Sequence, residues 1–346
     1  KGSATGSLQI GNNQYKSWIA EPQLEYNTHI SKGRLTLLGG ATFNATRNNS
    51  LMINATGYTS DELLGSLTAA GTNSIATANT NNDYRYQAFF ARANYNYDNK
   101  YLVNFTGRRD GSSRFGPQYR FSNFGSAGAA WLFTNEQFFP KQDILSFGKL
   151  RASYGVTGND KIGDYKYLDS WKATTVNYMD SSSTYPTILY NPDLHWEKNI
   201  KSEVAVELGF LKDKLLATVA LYRNLSSDPL VGYPLPYATG FTTITANLNG
   251  VLIENRGIEI SINTMNFQSK QFSWNTYLNL TIPQNRLIRY PNLATSTYAS
   301  QYKLGESLNL IYGSSYAGLD SIGLYSIKDV NKDGLGNSSD YSVHGK

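Results

Sequence analysis

Apolar and polar residues alternate with a period of two along much of the chain, which is the pattern of β-strands that have one apolar and one polar face. Between Phe89 and Tyr97, aromatic and apolar side chains hold every second position, and polar ones such as Asn94 lie between them. Five further segments repeat the alternation: 101–106, 150–157, 203–210, 258–263 and 272–282. Because tight polar turns separate several of them, the sequence predicts an antiparallel sheet of about a dozen strands.

Two architectures share this pattern of strands. In a soluble sandwich the apolar face looks into a core, whereas in a transmembrane barrel it contacts lipid and the polar face lines a wet lumen. Strands of about ten residues, unequal connections and aromatic residues near strand ends favour the barrel. The aromatic residues expected to form an interfacial girdle are Tyr84, Tyr86, Tyr97, Tyr101, Phe133, Phe138 and Phe139. We therefore predict an all-β fold, an antiparallel transmembrane β-barrel.

Composition contributes mainly exclusions. The chain has 31 basic and 26 acidic residues, a formal net charge of +5, and no Cys. Without Cys, disulfides, Cys-ligated zinc and thiol nucleophiles are excluded. The weak net charge argues against nucleic acid as a partner, because clustered Lys and Arg would be needed to neutralise phosphates. No apolar run approaches the length of a transmembrane helix, but a transmembrane β-barrel does not require one.

The chain is expected to be a piece of a longer polypeptide. Residues 1–6 lack the pattern of a signal peptide, and residues 343–346 end in a polar stretch. Barrels with a plugged lumen run to about 22 strands, so a dozen strands cannot close one. Open strand edges are not tolerated in lipid, and we therefore expect the remaining strands to come from the rest of the same polypeptide.

The landmarks between the predicted strands follow an order that resembles a known family. Residues 108–116 read Arg-Arg-Asp-Gly-Ser-Ser-Arg-Phe-Gly, and residues 191–197 read Asn-Pro-Asp-Leu-His-Trp-Glu. Further landmarks are 96–101, 124–131, 150–159, 235–241, 247–250 and 254–259. Over roughly residues 84–340, the chain resembles the SusC/RagA family, the TonB-dependent outer-membrane transporters of Bacteroidetes.

The resemblance implies that residues 1–346 are part of a 22-stranded outer-membrane barrel, with no separate domain and with a plug that is not in this chain. It implies import of oligosaccharides or peptides. The implied partners are a SusD-like surface lipoprotein, TonB through the plug region, outer-membrane lipid and the glycan or peptide substrate. Long extracellular loops are expected at 56–83, 165–195, 228–247 and 284–316.

Two other functions fit the same strands. One is a structural barrel subunit of a larger outer-membrane assembly, and the other is a secreted β-rich domain for glycan binding or adhesion. An enzyme is not expected, because the common nucleophile, zinc-protease and phosphate-loop motifs are missing. Glu203 and Glu207 share a strand face, but about 13 Å would separate their Cα atoms, too far for a glycosidase pair. His195, between Asp193 and Glu197, is interpreted as a rim or lumen histidine.

The sharpest chemical signal is a candidate calcium loop near the C-terminus. Asp329, Asn331, Asp333 and Asp340 occupy positions 1, 3, 5 and 12 of the calcium-loop pattern, and Gly334 occupies position 6. Oxygen ligands at these positions converge on a hard cation. Position 12 is Asp where Glu is usual and flanking helices are not predicted, so a metal-free turn rich in Asp and Asn is the alternative. The sequence assigns no substrate-binding residues.

A charged cluster surrounds residues 111–113. It contains Arg108, Arg109, Asp110 and Arg114. These side chains could bind an anionic group, but the favoured interpretation is a tight polar turn whose Arg–Asp contacts hold two strands in register. In that interpretation Arg109 and Arg114 lie opposite each other across the turn.

Overall fold

The computed structural model describes residues 6–72, 74–140, 144–173, 183–336 and 340–345. Strands dominate these ranges, and the predicted all-β fold is confirmed. The helical segments within them are short 3₁₀ turns: Asp61–Leu63, Leu67–Ala69, Phe133–Asn135, Tyr237–Thr239 and Leu293–Thr295. None of the described helical segments is long and apolar enough to cross a membrane.

The strands are numbered in chain order. They are β1 (Leu8–Ala20), β2 (Gln23–Ile30), β3 (Gly33–Ala55), β4 (Ile75–Tyr97), β5 (Tyr101–Ser112), β6 (Phe121–Trp131), β7 (Leu145–Asn159), β8 (Ser170–Ala173), β9 (Thr184–Ile188), β10 (Glu197–Phe210), β11 (Leu215–Ser227), β12 (Leu230–Pro234), β13 (Thr243–Asn247), β14 (Leu252–Gln268), β15 (Ser273–Arg289), β16 (Ile311–Gly313), β17 (Tyr316–Leu319), β18 (Tyr325–Ile327) and β19 (Ser342–Gly345).

Eleven of these strands form one antiparallel sheet whose order is β1-β3-β4-β5-β6-β7-β10-β11-β14-β15, with β2 also paired to β3. β1 pairs with residues 43–55 of β3 and β2 pairs with residues 33–40, so β1 and β2 together follow one side of β3. The break between them lies at Pro22, which has no N–H to donate. Its carbonyl still accepts a hydrogen bond from the Ala41 N–H at 3.1 Å. All other neighbours in the sheet follow chain order.

The longest strands are β3 and β4, with 23 residues each. At about 3.4 Å per residue they are roughly 75 Å long, more than twice the thickness of a bilayer core. The loop predicted at 56–83 is therefore too long, because β4 begins at Ile75 and the connection spans residues 56–74. Asn and Thr give residues 76–83 little strand propensity of their own, and pairing with β3 imposes the extended conformation.

The other predicted loops also contain regular structure. The segment 165–195 holds the β8–β9 hairpin, and its residues 174–182 lie outside the described part of the chain. The segment 228–247 holds the β12–β13 hairpin. The segment predicted as a loop at 284–316 begins within β15, which continues to Arg289. Hairpins inside these connections satisfy backbone hydrogen bonds that a bare loop would leave to water.

The two faces of the main sheet differ in chemistry. The face that we name outward carries the alternate apolar residues, including Phe89, Phe105 and Leu221, which are 51%, 59% and 55% exposed. The opposite face, named inward, carries polar residues such as Arg92 and Asn94. The other sheets in the described part of the chain have two strands each. The sandwich is therefore wrong, and the sheet is part of a barrel whose outward apolar band faces lipid.

Aromatic side chains gather at the end of the sheet that has short turns. Asp98 and Asn99, with φ values of 52° and 53°, form the tight turn between β4 and β5. The rings of Tyr97 and Tyr101 flank this turn with centroids 6.5 Å apart. A second group of rings follows β6, where Phe133 contacts Trp131 and Phe139. These positions agree with an interfacial girdle at this end.

The girdle prediction was wrong for Tyr84 and Tyr86. Both are even-numbered residues of β4 and therefore share the inward face with Arg92, whereas Phe89 is on the outward face. The two tyrosines lie toward the end of the sheet with long connections. The alternation of apolar and polar side chains in β4 becomes regular only from Phe89 onwards, so the sequence alone does not show which face Tyr84 and Tyr86 share.

Candidate functional site

A charged network lies on the inward face where β4 and β5 approach the long connections. Arg108 donates from Nε to Asp110 Oδ1 at 2.5 Å and from Nη2 to the Tyr86 hydroxyl at 2.6 Å. The alternation of β5 brings Arg108 and Asp110 to one face and turns Arg109 to the other. Asp110 is only 8% exposed. A carboxylate so far from water needs a hydrogen-bonded cation, and Arg108 supplies it.

A second set of contacts joins this face to the connection after β7. The hydroxyls of Tyr84 and Ser112 donate to Asp160 Oδ2 at 2.8 and 2.7 Å. Arg114 donates to Asp164 at 2.9 Å, and its guanidinium lies 4.3 Å from the centroid of the Tyr84 ring.

An apolar cluster closes the same region. Phe115 and Leu194 are fully buried and Trp196 is nearly so. The Trp196 ring lies 5.0 Å from that of Phe115 and 5.6 Å from that of Phe124, which projects from the inward face of β6. Two connections, 113–120 and 191–196, thus fold over the sheet and fix the wall beneath them.

The structure corrects the turn predicted around residues 111–113. Arg108 to Ser112 form the end of β5, and the connection follows them. Arg109 lies on the outward face, where it donates to Asn123 at 3.2 Å, while Arg114 pairs with Asp164. Arg109 and Arg114 are therefore not partners. The structural role is supported, because Arg114 holds the connection after β7 against the end of β5.

A ladder of charges lines the inward face of β7 and β10. Arg151 forms ion pairs with both Glu203 and Glu207, the latter at 2.7 Å, and Lys149 lies 3.2 Å from Glu207. Both carboxylates thus have cationic partners on the neighbouring strand. This arrangement makes a polar lining and does not resemble a general acid facing a general base.

Within the described part of the chain, His195 does not join Asp193 and Glu197 in a group that could hold a metal ion. Its Nδ1 lies 2.7 Å from the backbone carbonyl of Asp193, and its ring packs against Tyr119 with centroids 5.6 Å apart. Glu197 instead accepts hydrogen bonds from the side-chain amides of Asn159 and Asn199.

Three of the four predicted calcium ligands come together in the C-terminal loop. One carboxylate oxygen from each of Asp329, Asp333 and Asp340 lies within 4.8 Å of the others. Asn331 joins them through its Nδ2, which donates to Asp333 Oδ2 at 2.9 Å. Gly334, with a φ of 85°, makes the bend that a side chain would oppose.

Backbone N–H groups hold the loop in shape. Asp340 Oδ1 accepts from the N–H groups of Val330 and Asn331, and Asp329 Oδ2 accepts from that of Gly334. Asp340 is fully buried. The three carboxylates offer the oxygen ligands that calcium prefers, whereas Asn331 turns its amide nitrogen towards Asp333 and its Oδ1 accepts from the Asp333 N–H.

Comparison with known proteins agrees with the fold. Residues 2–344 match the family model described as TonB dependent receptor-like, beta-barrel. The chain is 30% identical over 294 residues to TonB-dependent receptor P26 of Formosa agariphila, a match that covers 82% of this chain and 29% of the relative. It is 32% identical over 218 residues to TonB-dependent receptor SusC of Bacteroides thetaiotaomicron, covering 61% of this chain and 22% of SusC.

Solved structures show the same architecture. The structure of the RagAB peptide transporter matches with a TM-score of 0.84 and 24% identity over 99% of this chain and 39% of that chain. The RagAB peptide importer in its closed-closed state matches with a TM-score of 0.79 and 25% identity, over 92% of this chain and 37% of that chain. The chain spans less than a third of the length of the curated receptors it matches. The resemblance to SusC and RagA is confirmed, and the chain belongs to the TonB-dependent receptor-like β-barrel family.

Proposed function

We propose that this chain forms part of the wall of a SusC-like, TonB-dependent importer of oligosaccharides or peptides in the bacterial outer membrane. The observation that carries the proposal is the division of one continuous sheet into an apolar outward face and a polar inward face. A transmembrane barrel around a wet lumen requires this division. Membership of the family supports import as the use of that lumen.

The long connections are proposed to be extracellular and the short turns periplasmic, as in bacterial outer-membrane barrels. Connections 56–74, 160–196 and 228–251 leave one end of the sheet, and the turn 98–100 lies at the other. A SusD-like lipoprotein would cap the end with long connections, and TonB would act through a plug outside this chain. Similarity to SusC and to the RagAB peptide importer supports this set of partners.

The inward face suits polar substrates of either class. Groups such as the Asn94 amide and the Arg151 guanidinium lie on this face and offer hydrogen bonds. Sugars and peptide backbones both use these contacts. Oligosaccharides and peptides therefore remain alternatives within one proposal.

Uptake by intact cells tests the proposal. Host cells without the gene would receive the intact gene or a version lacking the TonB-contacting segment, and would be supplied with fluorescent oligosaccharide and peptide pools. We expect accumulation of one pool, with the intact gene only, and its loss when the proton gradient is dissipated. Equal accumulation in all strains would contradict import.

Isolation of the intact protein in mild detergent tests the partners. One surface lipoprotein that co-purifies supports import, whereas several unrelated subunits favour a structural barrel subunit.

We also propose that the loop containing Asp329, Asn331, Asp333 and Asp340 binds calcium. The convergence of three carboxylates supports it. Calorimetric titration of the intact protein should show binding below millimolar concentration, weakened about tenfold or more by Asp333→Asn. Asp320→Asn is the matched control, because the Asp320 carboxylate accepts from the N–H groups of Ile322 and Leu324 in a separate turn. Binding that is equal in wild type and D333N would refute the site.

A further inference from the structure

Strand β4 extends past the end of its neighbour β5. The ladder between them ends at the pair of Tyr86 and Ser112, whereas β4 begins at Ile75. On its other side β4 is paired with β3 along its whole length. Segment 75–85 therefore has one edge occupied by β3 and one edge that β5 does not reach. We name the second of these the open edge.

Two sets of contacts show that a ladder can continue along the open edge. Just beyond β5, the Ser113 N–H donates to the Arg85 carbonyl at 2.9 Å, and the Ser113 hydroxyl accepts from the Arg85 N–H at 2.9 Å. The Asp83 N–H, two residues further along, donates to the Tyr165 hydroxyl at 2.9 Å. A side-chain oxygen thus occupies the place that the carbonyl of a neighbouring strand would take.

Beyond Asp83, backbone groups on the open edge have no partner. In an antiparallel ladder, alternate residues direct both their N–H and their C=O groups to the same neighbouring strand. Because Arg85 and Asp83 face the open edge, Asn81, Asn79 and Thr77 do so as well. Within the described ranges, no group bonds to the N–H and C=O groups that these three residues direct to this edge. All three residues are exposed.

The open edge also lacks the features that usually prevent the addition of a strand. Natural edge strands are protected by charged residues, Pro, bulges or a covering segment. Residues 75–82 read Ile-Ala-Thr-Ala-Asn-Thr-Asn-Asn, without a charge or a Pro, and their pairing with β3 is regular. The strand that follows β4 in the sheet order is β5, which is already in place and ends before this level. The open edge is therefore a template for an extended chain that is not part of the wall.

We propose that segment 75–83 binds extended peptides, which add to the sheet as a strand antiparallel to β4. An extended peptide offers N–H and C=O groups at the spacing of the open edge, and its side chains point away to the two faces of the sheet. A sugar chain has no such regular alternation of donors and acceptors. The segment is about 30 Å long, which accommodates a peptide of about nine residues.

The side chains of the segment indicate how selective the site is. Residues 75–82 carry small apolar, hydroxyl and amide side chains, so they offer no charge that would select one peptide sequence over another. Recognition would therefore depend on the main chain of the peptide. This suits an importer of mixed peptides.

The inference deepens the proposed function and rests on it. Segment 75–83 follows connection 56–74 at the end of the sheet with long connections, so peptides reach it from outside only in the orientation proposed above. Of the two proposed classes of substrate, the open edge selects peptides.

N-methylated peptides test the pairing of main chains. The intact protein in neutral detergent micelles would be titrated with a fluorescent peptide of alternating Thr and Ser residues, as long as segment 75–83. Two further peptides would carry equal numbers of N-methyl groups, either on every second residue or on consecutive residues. The first keeps all N–H groups of one edge and should bind within a few-fold of the unmethylated peptide. The second interrupts both edges and should bind about tenfold more weakly.

Asn79→Pro tests the open edge of the protein itself. Pro removes the N–H of residue 79 on the open side, whereas the bonds to β3 are made by the residues before and after it. We expect this variant to bind the unmethylated peptide about tenfold more weakly than wild type. Asn79→Ala is the matched control, because it removes the same side chain and keeps the N–H, and it should bind like wild type. The heat-dependent gel mobility of the folded barrel would confirm that both variants fold.

Four results would overturn the inference. They are equal binding of the two methylated peptides, equal binding by wild type and Asn79→Pro, displacement of the peptide by an oligosaccharide of similar length, and no binding of the unmethylated peptide below millimolar concentration. Because the titration involves no energised membrane, any of them would leave the proposed function to the uptake experiment in cells.

Discussion

Two groups of apolar side chains in this chain have different surroundings. On the outward face, residues such as Phe105 and Ile282 are half exposed or more, although they belong to regular, fully paired strands. At the end with long connections, Phe115 and Leu194 are fully buried, and a second cluster around Leu287 is equally closed. The first group is covered by lipid and the second by the protein itself.

The difference shows that accessible area alone does not identify the core of this fold. The exposed residues of the band also contribute to the stability of the fold, because lipid replaces the second layer that a soluble sheet would need. The buried clusters also position parts of the chain outside the sheet. They fix connections 113–120 and 191–196 over the inward face, where the charged network of Arg108 and Asp110 lies.

The sharpest way to test this comparison is to delete the same side chain in both groups. Phe115→Ala should lower the free energy of unfolding by about 3–5 kcal/mol, because it leaves a cavity that protein cannot fill. Phe105→Ala should cost about 1–2 kcal/mol, since lipid adapts to the smaller residue. Urea unfolding of the intact protein in liposomes measures both. Equal costs would show that the two groups share one kind of burial.

Charge insertion tests the outward and inward faces directly. Ile260 and Ser261 are neighbours on β14, and the register places Ile260 opposite Leu280 on the outward face. Ile260→Arg should destabilise the barrel by about 2–4 kcal/mol, the cost of a guanidinium near the middle of the bilayer. Ser261→Arg should cost a few tenths of a kcal/mol, because its side chain enters the wet lumen. Similar losses for the two variants would contradict the assignment of faces.

Much of the barrel could be predicted from local alternation. The segments 89–97 and 258–263 are strands with the predicted faces, because one side of each contacts lipid and the other water. Residues 76–83 could not be recognised, since their extension depends on pairing with β3 and not on their own pattern. For the same reason, the inward positions of Tyr84 and Tyr86 could not be predicted from the sequence.

The sites were less predictable than the strands. The calcium-loop spacing did bring Asp329, Asp333 and Asp340 together, because the pattern is local in sequence. The network that includes Asp160 could not be inferred, since its partners lie 76 and 48 residues away in sequence and meet only through the sheet order.

Removing one hydroxyl tests the polar part of the inward face. Tyr84→Phe deletes the hydrogen bond to Asp160 and should cost about 1–2 kcal/mol, since a partly buried carboxylate loses a donor. Tyr15→Phe, at an exposed inward position of β1, should be neutral within about 0.5 kcal/mol. Urea unfolding as above gives both values. A neutral Tyr84→Phe would mean that water replaces the lost donor and that the network does not fix the connection.

The smallest effect on stability is expected at the girdle, where Tyr and Trp side chains combine an apolar ring with a hydrogen-bonding hydroxyl or N–H group. The Tyr101 hydroxyl donates to Glu136 at 2.5 Å and the Trp131 indole N–H donates at 3.1 Å. These bonds, with Lys100 nearby, hold the pKa of the Glu136 carboxyl below its ordinary value. Because the native pKa is the lower one, this contribution to stability is complete above the unfolded-state pKa and is lost as the pH falls through the native value.

Tyr101→Phe should therefore raise the pKa of Glu136 towards its ordinary value, whereas Tyr97→Phe should leave it unchanged. Titration of ¹³C-labelled glutamate by NMR, assigned with Glu136→Gln, measures both shifts. Tyr97→Phe is a matched control, since Tyr97 and Tyr101 present similar rings to the interface but only Tyr101 donates to this carboxylate. If both variants titrate like wild type, the rings alone anchor this end of the barrel and the hydroxyl contributes nothing to it.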